Sequence, residues 1–426
     1  MNLLRKRLLF FGIFCFFISP LIVRAQDSVL TIEKCQELAR NNYPMIKTLE
    51  LIQTTGRYNI SNIKSGYLPS ISFFGQYTTQ SDVTKIPISI PNMTIPEIDK
   101  NQYKVYAEIS QLLYDGGHTA AQKKIMEAQN EIEEDNLEIE LYKVKERVTQ
   151  VYFGIILTDA QIEQVTILKS DILAALKKSE AAFNNGIILK SNLDALKAEL
   201  LKTDQKIIEL ESSRKSYLTM LELLVGTKMP LKVKLSTPLS VEIKNENKRP
   251  ENHLFFSRLA LNKSISRNLN TKNLPKLNLF INGGYGSPAL NMLNPDPDTY
   301  FVAGLRFVWP LTGLYNLQRE KAINKLNLTN IQYQQEAFLL NSDIQMTQQN
   351  NEIEKYEALL KSDDEIIALR EDISKSALLQ LENGIITSSE YIRELNAVDN
   401  ARQSKILHEI QLIMSKYNHL LITGNL

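Results

Sequence analysis

Apolar positions along this chain keep two different rhythms. Through residues 189–224 they alternate by threes and fours: Leu189, Leu193, Leu196, Leu200, Thr203, Ile207, Leu210, Arg214, Tyr217, Leu221 and Leu224, with only Thr203 and Arg214 departing from apolar. That spacing is a heptad seam, which predicts a helix lying along another helix. The stretch opens on a break, Phe183-Asn184-Asn185-Gly186-Ile187-Ile188, which recurs as Leu381-Glu382-Asn383-Gly384-Ile385-Ile386, with the two glycines 198 positions apart. A second seam comes after the second break: Tyr391, Leu395, Val398, Arg402, Ile406, Ile410, Ile413, Tyr417 and Leu420. Its successive fours from Val398 to Ile410 are stutters, which locally unwind a coiled coil. The chain therefore reads as two related halves, each with a glycine turn between long helices.

The other rhythm has period two. Residues 101–114 alternate, with Tyr103, Val105, Ala107 and Ile109 on one face and Lys104, Tyr106, Glu108 and Ser110 on the other. Residues 299–311 do the same, with Phe301, Ala303, Leu305, Phe307 and Trp309 opposite Gly304, Arg306 and Val308. Residues 70–79 and 276–285 complete a set of four strands. Between them the pattern is helical. Helix is expected over 31–65, capped by Thr31 and interrupted near Pro44, then over 118–182, 250–272, 317–380 and on to about 421. A helix of that second length, at 1.5 Å per residue, spans roughly 100 Å, so the shape is elongated. The domain reading is a leader over 1–25, a first repeat over 26–226, a connector over 227–249 and a second repeat over 250–426.

The leader has a basic start, Arg5-Lys6-Arg7, an apolar stretch carrying Pro20, and a small-x-small ending at Val23-Arg24-Ala25. These are the marks of a secretory signal peptide. Without its four cations, Lys+Arg falls from 49 to 45 against 48 acidic residues, a balance of about −3. Nothing there calls for nucleic acid. Of two cysteines, Cys15 leaves with the leader, and Cys35 is left alone, without an intramolecular disulfide partner and too far from the cleavage site to carry a lipid. After residue 25 no run approaches the roughly 18 to 20 apolar residues of a membrane helix. Strands of ten to fourteen residues, however, can cross an outer-membrane apolar band of about 25 Å when tilted. Four strands cannot close a membrane barrel, and open edges are not tolerated in lipid, so membrane strands here require several chains to share one barrel. The competing reading is a soluble sheet with its aromatic residues in a core.

The layout resembles the TolC family of outer-membrane efflux ducts over nearly the whole mature chain. The resemblance is carried by Leu30-Thr31-Ile32-Glu33, Gly66-Tyr67-Leu68-Pro69-Ser70-Ile71, and Ser110-Gln111-Leu112-Leu113-Tyr114-Asp115-Gly116-Gly117, then by Arg249-Pro250-Glu251, Leu274-Pro275, Trp309-Pro310-Leu311 and both glycine turns. The second strand-to-helix turn, Leu311-Thr312-Gly313-Leu314, departs from the first and is expected to take another shape. The resemblance implies a mostly α fold with a small β portion: long antiparallel coiled-coil helices, and four strands contributed to a shared transmembrane β-barrel. It implies a homotrimer in outer-membrane lipid that exports solutes or proteins, docked to a periplasmic adaptor (membrane fusion) protein and an inner-membrane pump.

It also assigns sites. The turns Asn185-Gly186-Ile187 and Asn383-Gly384-Ile385 become the tip where the adaptor docks; glycine supplies the positive φ that reverses two packed helices, and the adjacent isoleucine an apolar contact. Glu390 and Arg393 match the pore constriction, with a helix-surface i,i+3 ion pair as the bland alternative. The alternation of residues 299–311, and not the resemblance, puts Phe301, Leu305, Phe307 and Trp309 on the lipid-facing side of their strand and Arg306 on the lumenal side. No catalytic constellation, cofactor motif or metal set is evident. His118, His253, His408 and His419 read as solvated or packed, and Asp363-Asp364-Glu365 as a solvated helix face. The rival function is a soluble periplasmic coiled-coil scaffold without a pore.

Overall fold

The computed structural model describes residues 30–84, 87, 97–231, 233–238, 241–244 and 246–426. The expected leader, with Cys15, lies outside the described residues, as do Pro91 and Pro96 of the first interstrand loop. The order of elements runs through one pattern twice. The first half is α1 (Ile32–Asn42), a 3-10 turn, α2 (Thr48–Ser65), β1 (Ser70–Thr79), β2 (Asn101–Tyr114), α3 (His118–Asn184) and α4 (Lys190–Val225). The second is α5 (Pro250–Thr271), β3 (Lys276–Ser287), β4 (Asp298–Val308), a 3-10 turn, α6 (Leu314–Glu382) and α7 (Ser388–Thr423). No described helix is long and apolar enough to cross a membrane.

Thr31 caps α1 as expected, its hydroxyl accepting from the Lys34 N–H. Pro44 opens the 3-10 turn that divides α1 from α2. The spine is α3, of 67 residues, and α1, α2, α4, α5 and α7 all pack along it. Gly154, its weak point in sequence, sits under the Tyr217 ring: a Cβ there would lie 2.9 Å from Cε1 of that ring. The α4 seam buries Leu193, Leu196, Thr203, Leu210 and Leu221. It slips near its end, where Tyr217 leans over Gly154 and Leu218 takes the core position, and where Val225 is buried in place of Leu224. Arg214, the other departure, pairs with Asp159 and holds the connector through the carbonyls of Leu231 and Val233. A polar residue in the seam thus ties a third segment to two helices.

Two apolar cores divide the helical body. One joins α1, α3, α4 and α7 around Val148, Tyr152, Leu221 and Tyr417. Within it the Tyr152 hydroxyl lies 2.7 Å from the carbonyls of both Leu30 and Ser236. Cys35 is buried there as a free thiol, and burial pushes its pKa up to about 12, so it behaves as a small apolar residue. The other core lies near the glycine turns and draws on all four long helices.

The strands form one antiparallel sheet in the order β1-β2-β3-β4, leaving an outer edge of β1 and of β4 unpaired within the chain. No described helix packs on either face. The two turns leaving the sheet differ in shape, as expected. After β2, Gly116 and Gly117 take φ of +69° and +83°, and Asp115, 2% exposed, accepts from the Tyr67 hydroxyl and the N–H groups of Gly117 and Thr119. Burial raises that carboxyl, but these donors and the Thr119 hydroxyl outweigh it and hold it at about 2. After β4, Gly313 has φ −64° and sits in a 3-10 turn against the Asn273 side chain. The strand before it is shorter than the 299–311 alternation predicts. The ladder stops at Val308, since Pro310 has no N–H to give it. Trp309 therefore lies beyond the strand, its indole N–H donating to the Asn273 carbonyl at 3.1 Å.

Candidate functional site

The two glycine turns share one backbone solution. At the first, the Ile187 N–H reaches the Ala182 carbonyl at 2.9 Å and the Gly186 N–H the Phe183 carbonyl at 2.9 Å; at the second, Ile385 reaches Gln380 at 2.8 Å and Gly384 reaches Leu381 at 3.0 Å. These are Schellman motifs, and they need the left-handed φ of +73° and +70° found at Gly186 and Gly384. A side chain added at either glycine would meet nothing within 4 Å. A Schellman turn usually folds its following apolar residue onto the helix it ends. Ile187 and Ile385 do not: they are 62% and 71% exposed. The structure thus gathers Asn185, Gly186, Ile187, Asn383, Gly384 and Ile385 at one end of the helical body, with both isoleucines facing solvent.

The two hairpins are tied together just behind these turns. Lys178 pairs with Glu382 at 2.5 Å, Asn396 donates to Glu199 at 2.8 Å, and Gln164 donates to Asp399 at 3.1 Å. Leu176, Leu193, Leu381 and Tyr391 are buried among them.

Glu390 and Arg393 do not pair with each other, so the alternative of an i,i+3 surface ion pair is not what the structure shows. The Glu390 carboxylate turns back to accept from the Thr387 N–H and hydroxyl at 2.8 and 3.0 Å, while the Thr387 hydroxyl accepts from the Glu390 N–H. This capping box starts α7. The Thr387 backbone N–H, followed by its hydroxyl, holds the Glu390 carboxyl below its ordinary value. Arg393 is exposed and points to Glu394 at 3.0 Å. Both residues border a groove of about 490 Å³ between α6 and α7.

Sequence reading missed a second charged group on α7. Arg402 donates to Glu371 at 2.6 Å and borders a cavity of about 240 Å³ with Asp171 and Tyr391. Burial raises the carboxyls of Asp171 and Asp399 on either side. Its signal was an arginine at a seam position. One reading of the polar residues also changes. Asp363 is buried rather than solvated, 2.7 Å from Nδ1 of His408. His253 likewise meets Asp135, which accepts from the Ser257 hydroxyl as well. Ser257 and His253 both bind that carboxylate, so they form no nucleophile relay. His419 is fully buried, and burial lowers its pKa.

On the sheet, cross-strand register assembles two unlike faces. Phe73, Ala107, Gly283 and Phe301 stand in one row, and Ile71, Ile109, Ile281 and Ala303 in the next. Leu305 and Phe307 pair with Leu279 and Leu277 on the same side. This apolar face is uncovered, with Phe73, Phe301, Leu305 and Phe307 at 81%, 76%, 62% and 64% exposure. The opposite face holds Glu108, Asn282, Lys104 and Arg306, with Arg306 bonded to Glu108 at 3.2 and 3.3 Å.

Comparison with known proteins gives a family likeness and a shared fold. The model of the outer membrane efflux protein family matches residues 36–227. The first half of the chain is therefore similar to the outer-membrane efflux family. The chain's place is the outer membrane, with a helical periplasmic extension. The fold agrees with solved structures of channels from this group. The CmeC outer membrane channel of Campylobacter jejuni superposes at TM-score 0.65 with 14% identity, covering 92% of this chain and 85% of that one. The outer membrane protein VceC of Vibrio cholerae gives 0.69 at 12% identity, covering 92% and 96%. The open-state MtrE channel of Neisseria gonorrhoeae gives 0.62 at 12%, covering 92% and 89%. No curated protein matches the sequence.

Proposed function

We propose that this protein is the outer-membrane duct of a tripartite efflux or type I secretion system, and not an enzyme. Three copies would share a twelve-stranded barrel, and their helices would continue it as a periplasmic tunnel. The observation that carries the reading is the sheet: four strands with two open edges and a predominantly apolar, uncovered face. In water such a face would drive aggregation. In lipid it is the outside of a barrel, and the edges find partners on neighbouring copies. On this reading Phe301, Leu305 and Phe307 face lipid, Trp309 sits at the rim, and Arg306 faces the lumen. A soluble scaffold without a pore would need that face covered. We also read 26–226 and 250–426 as two repeats joined by 227–249.

The exposed Ile187 and Ile385 support docking of an adaptor's helical hairpin at the tip, through which an inner-membrane pump would be coupled. Glu390 lies one turn above the second tip; despite its capping role it remains exposed, and three copies around one axis would favour cations at the constriction. Membrane fractionation tests the duct: an oligomer extracted only by detergent is expected, and a monomer released by osmotic shock would overturn it. Leu305→Arg near the bilayer midplane is expected to cost about 2 to 4 kcal/mol and to lower oligomer yield. In planar bilayers Arg393→Asp should raise cation selectivity and Glu390→Gln reduce it; a reversal potential that moves in neither variant removes the constriction from this place.

A further inference from the structure

The face opposite the apolar one holds a feature that the duct reading does not require. Phe74, Tyr106, Gly284 and Tyr300 stand in register, giving an aromatic residue on three of the four strands at one level. Phe74 and Tyr106 stack, with centroids 5.0 Å apart and planes 21° from parallel. Gly284 interrupts the row: a Cβ there would lie 2.4 Å from that of Tyr106. The strands of Tyr106 and Tyr300 are two spacings apart, about 9.5 Å, and no ring stacks on Tyr300 among the described residues. Neither tyrosine hydroxyl makes a hydrogen bond to the described chain.

The row lies on the crowded side of the sheet. Tyr106, Glu108, Phe280, Asn282 and Tyr300 are half-buried, while Val105, Ile281, Phe301 and Leu305 across the sheet are exposed. With no described helix against either face, that asymmetry marks the concave side. The flanking layers are polar. Below the row the Glu108 carboxylate is matched by Arg306, itself 4.6 Å from the Phe280 ring. Above it Lys104 faces Gly286, which pairs with Asp298. An aromatic row between charge-balanced layers, ending in an unstacked ring on β4, fits a flat apolar ring better than an ion.

We propose that Tyr106 and Tyr300, with Phe74 behind Tyr106, form a stacking site for planar aromatic solutes on the lumenal wall of the barrel. The site rests on the duct reading, since only a barrel makes this face a lumen. Solute ring faces would stack on the tyrosines, whose free hydroxyls can donate to polar edges. Repeated in each copy, the row becomes an aromatic belt that holds such solutes briefly before release.

The test uses the full-length oligomer in planar bilayers with ethidium as the planar aromatic probe and tetraethylammonium as a non-planar cation of the same charge. Wild-type pores are expected to show brief partial current drops with ethidium and none with tetraethylammonium. In the double variant Tyr106→Leu and Tyr300→Leu, the ethidium dwell time should fall about tenfold, whereas Phe301→Leu on the other face should leave it unchanged. The single variant Tyr300→Leu, at the more exposed strand β4, serves if the double one fails to assemble, with a fall of about threefold expected. Equal dwell times in wild type and variants overturn the site while leaving the duct intact. Drops with both cations overturn it in favour of charge binding. A wild-type protein that forms no pore overturns the duct and this site together.

Discussion

The two halves of the chain trace the same path but secure it by different chemistry. At the tips they agree in the turn and differ in how the next helix starts. Each turn is closed by a left-handed glycine and the same pair of backbone bonds. The helix after the second turn begins at Thr387 with a full capping box, whereas the helix after the first begins at Leu189, which has no side-chain cap and is 74% exposed. At the sheet end the advantage reverses. The first half anchors α3 with the buried Asp115, and the second relies on a 3-10 turn and the Trp309 indole. Each half is thus well fastened at one of these two junctions and lightly at the other.

Among these junctions the largest effect is expected at Asp115. Its carboxyl is held at about 2 in the folded chain, below the ordinary unfolded value of about 3.9, so it contributes about 2 kcal/mol at neutral pH. A depressed carboxylate stabilises above the unfolded pKa, and that contribution is lost as pH falls from about 4 to about 2. Asp115→Asn should lower the unfolding midpoint at pH 7 and flatten the acid limb, both read by circular dichroism; an unchanged acid limb would show that the turn does not depend on the charge. Next come Gly186→Ala and Gly384→Ala. Each puts a Cβ at positive φ in open space, at a cost of about 1 to 2 kcal/mol. The two costs should match, and a clear difference in melting would show that the tips are not equivalent.

Smaller effects sharpen the contrast between the helix starts. Thr387→Ala should destabilise by about 1 kcal/mol, and Leu189→Thr should stabilise by less than that. Hydrogen exchange at the first turns of α7 and α4 would register both. If Leu189→Thr slows no amide of α4, the missing cap is not what loosens that start. Least of all should Ile187→Asp disturb the fold, since that side chain already faces water. Its expected consequence is weaker adaptor binding in a pull-down with oligomer yield unchanged, and equal capture would remove Ile187 from docking.

The strands and long helices were legible because punctuation surrounds them. Pro69 and the Asp115-Gly116-Gly117 turn fixed the outer ends of β1 and β2 in the first half. The misplaced strand end at Trp309 has a simple source: the apolar alternation continues through Leu311, but Pro310 cannot extend the ladder. The slip from Tyr217 to Leu218 was hidden because the deciding residue, Gly154, lies on another helix. Asp115 was noticed as part of a motif, yet one of its donors, Tyr67, is 48 residues away. The same distance problem concealed the pairing of Asp363 with His408, 45 residues apart. Local rhythm exposes which residues face inward, but polar partners chosen across helices leave no period to read.

The strand count has a consequence for assembly. Running antiparallel in the order β1-β2-β3-β4, the two outer strands point in opposite directions, and they are of nearly equal length, 10 and 11 residues. The β4 edge of one copy can therefore meet the β1 edge of another with the same antiparallel ladder used inside each chain, a head-to-tail contact that closes into a ring. An odd number of strands per chain would force a parallel seam at every junction. Parity thus makes the joints between copies chemically indistinguishable from the joints within them, and leaves curvature alone to decide how many copies complete the circle.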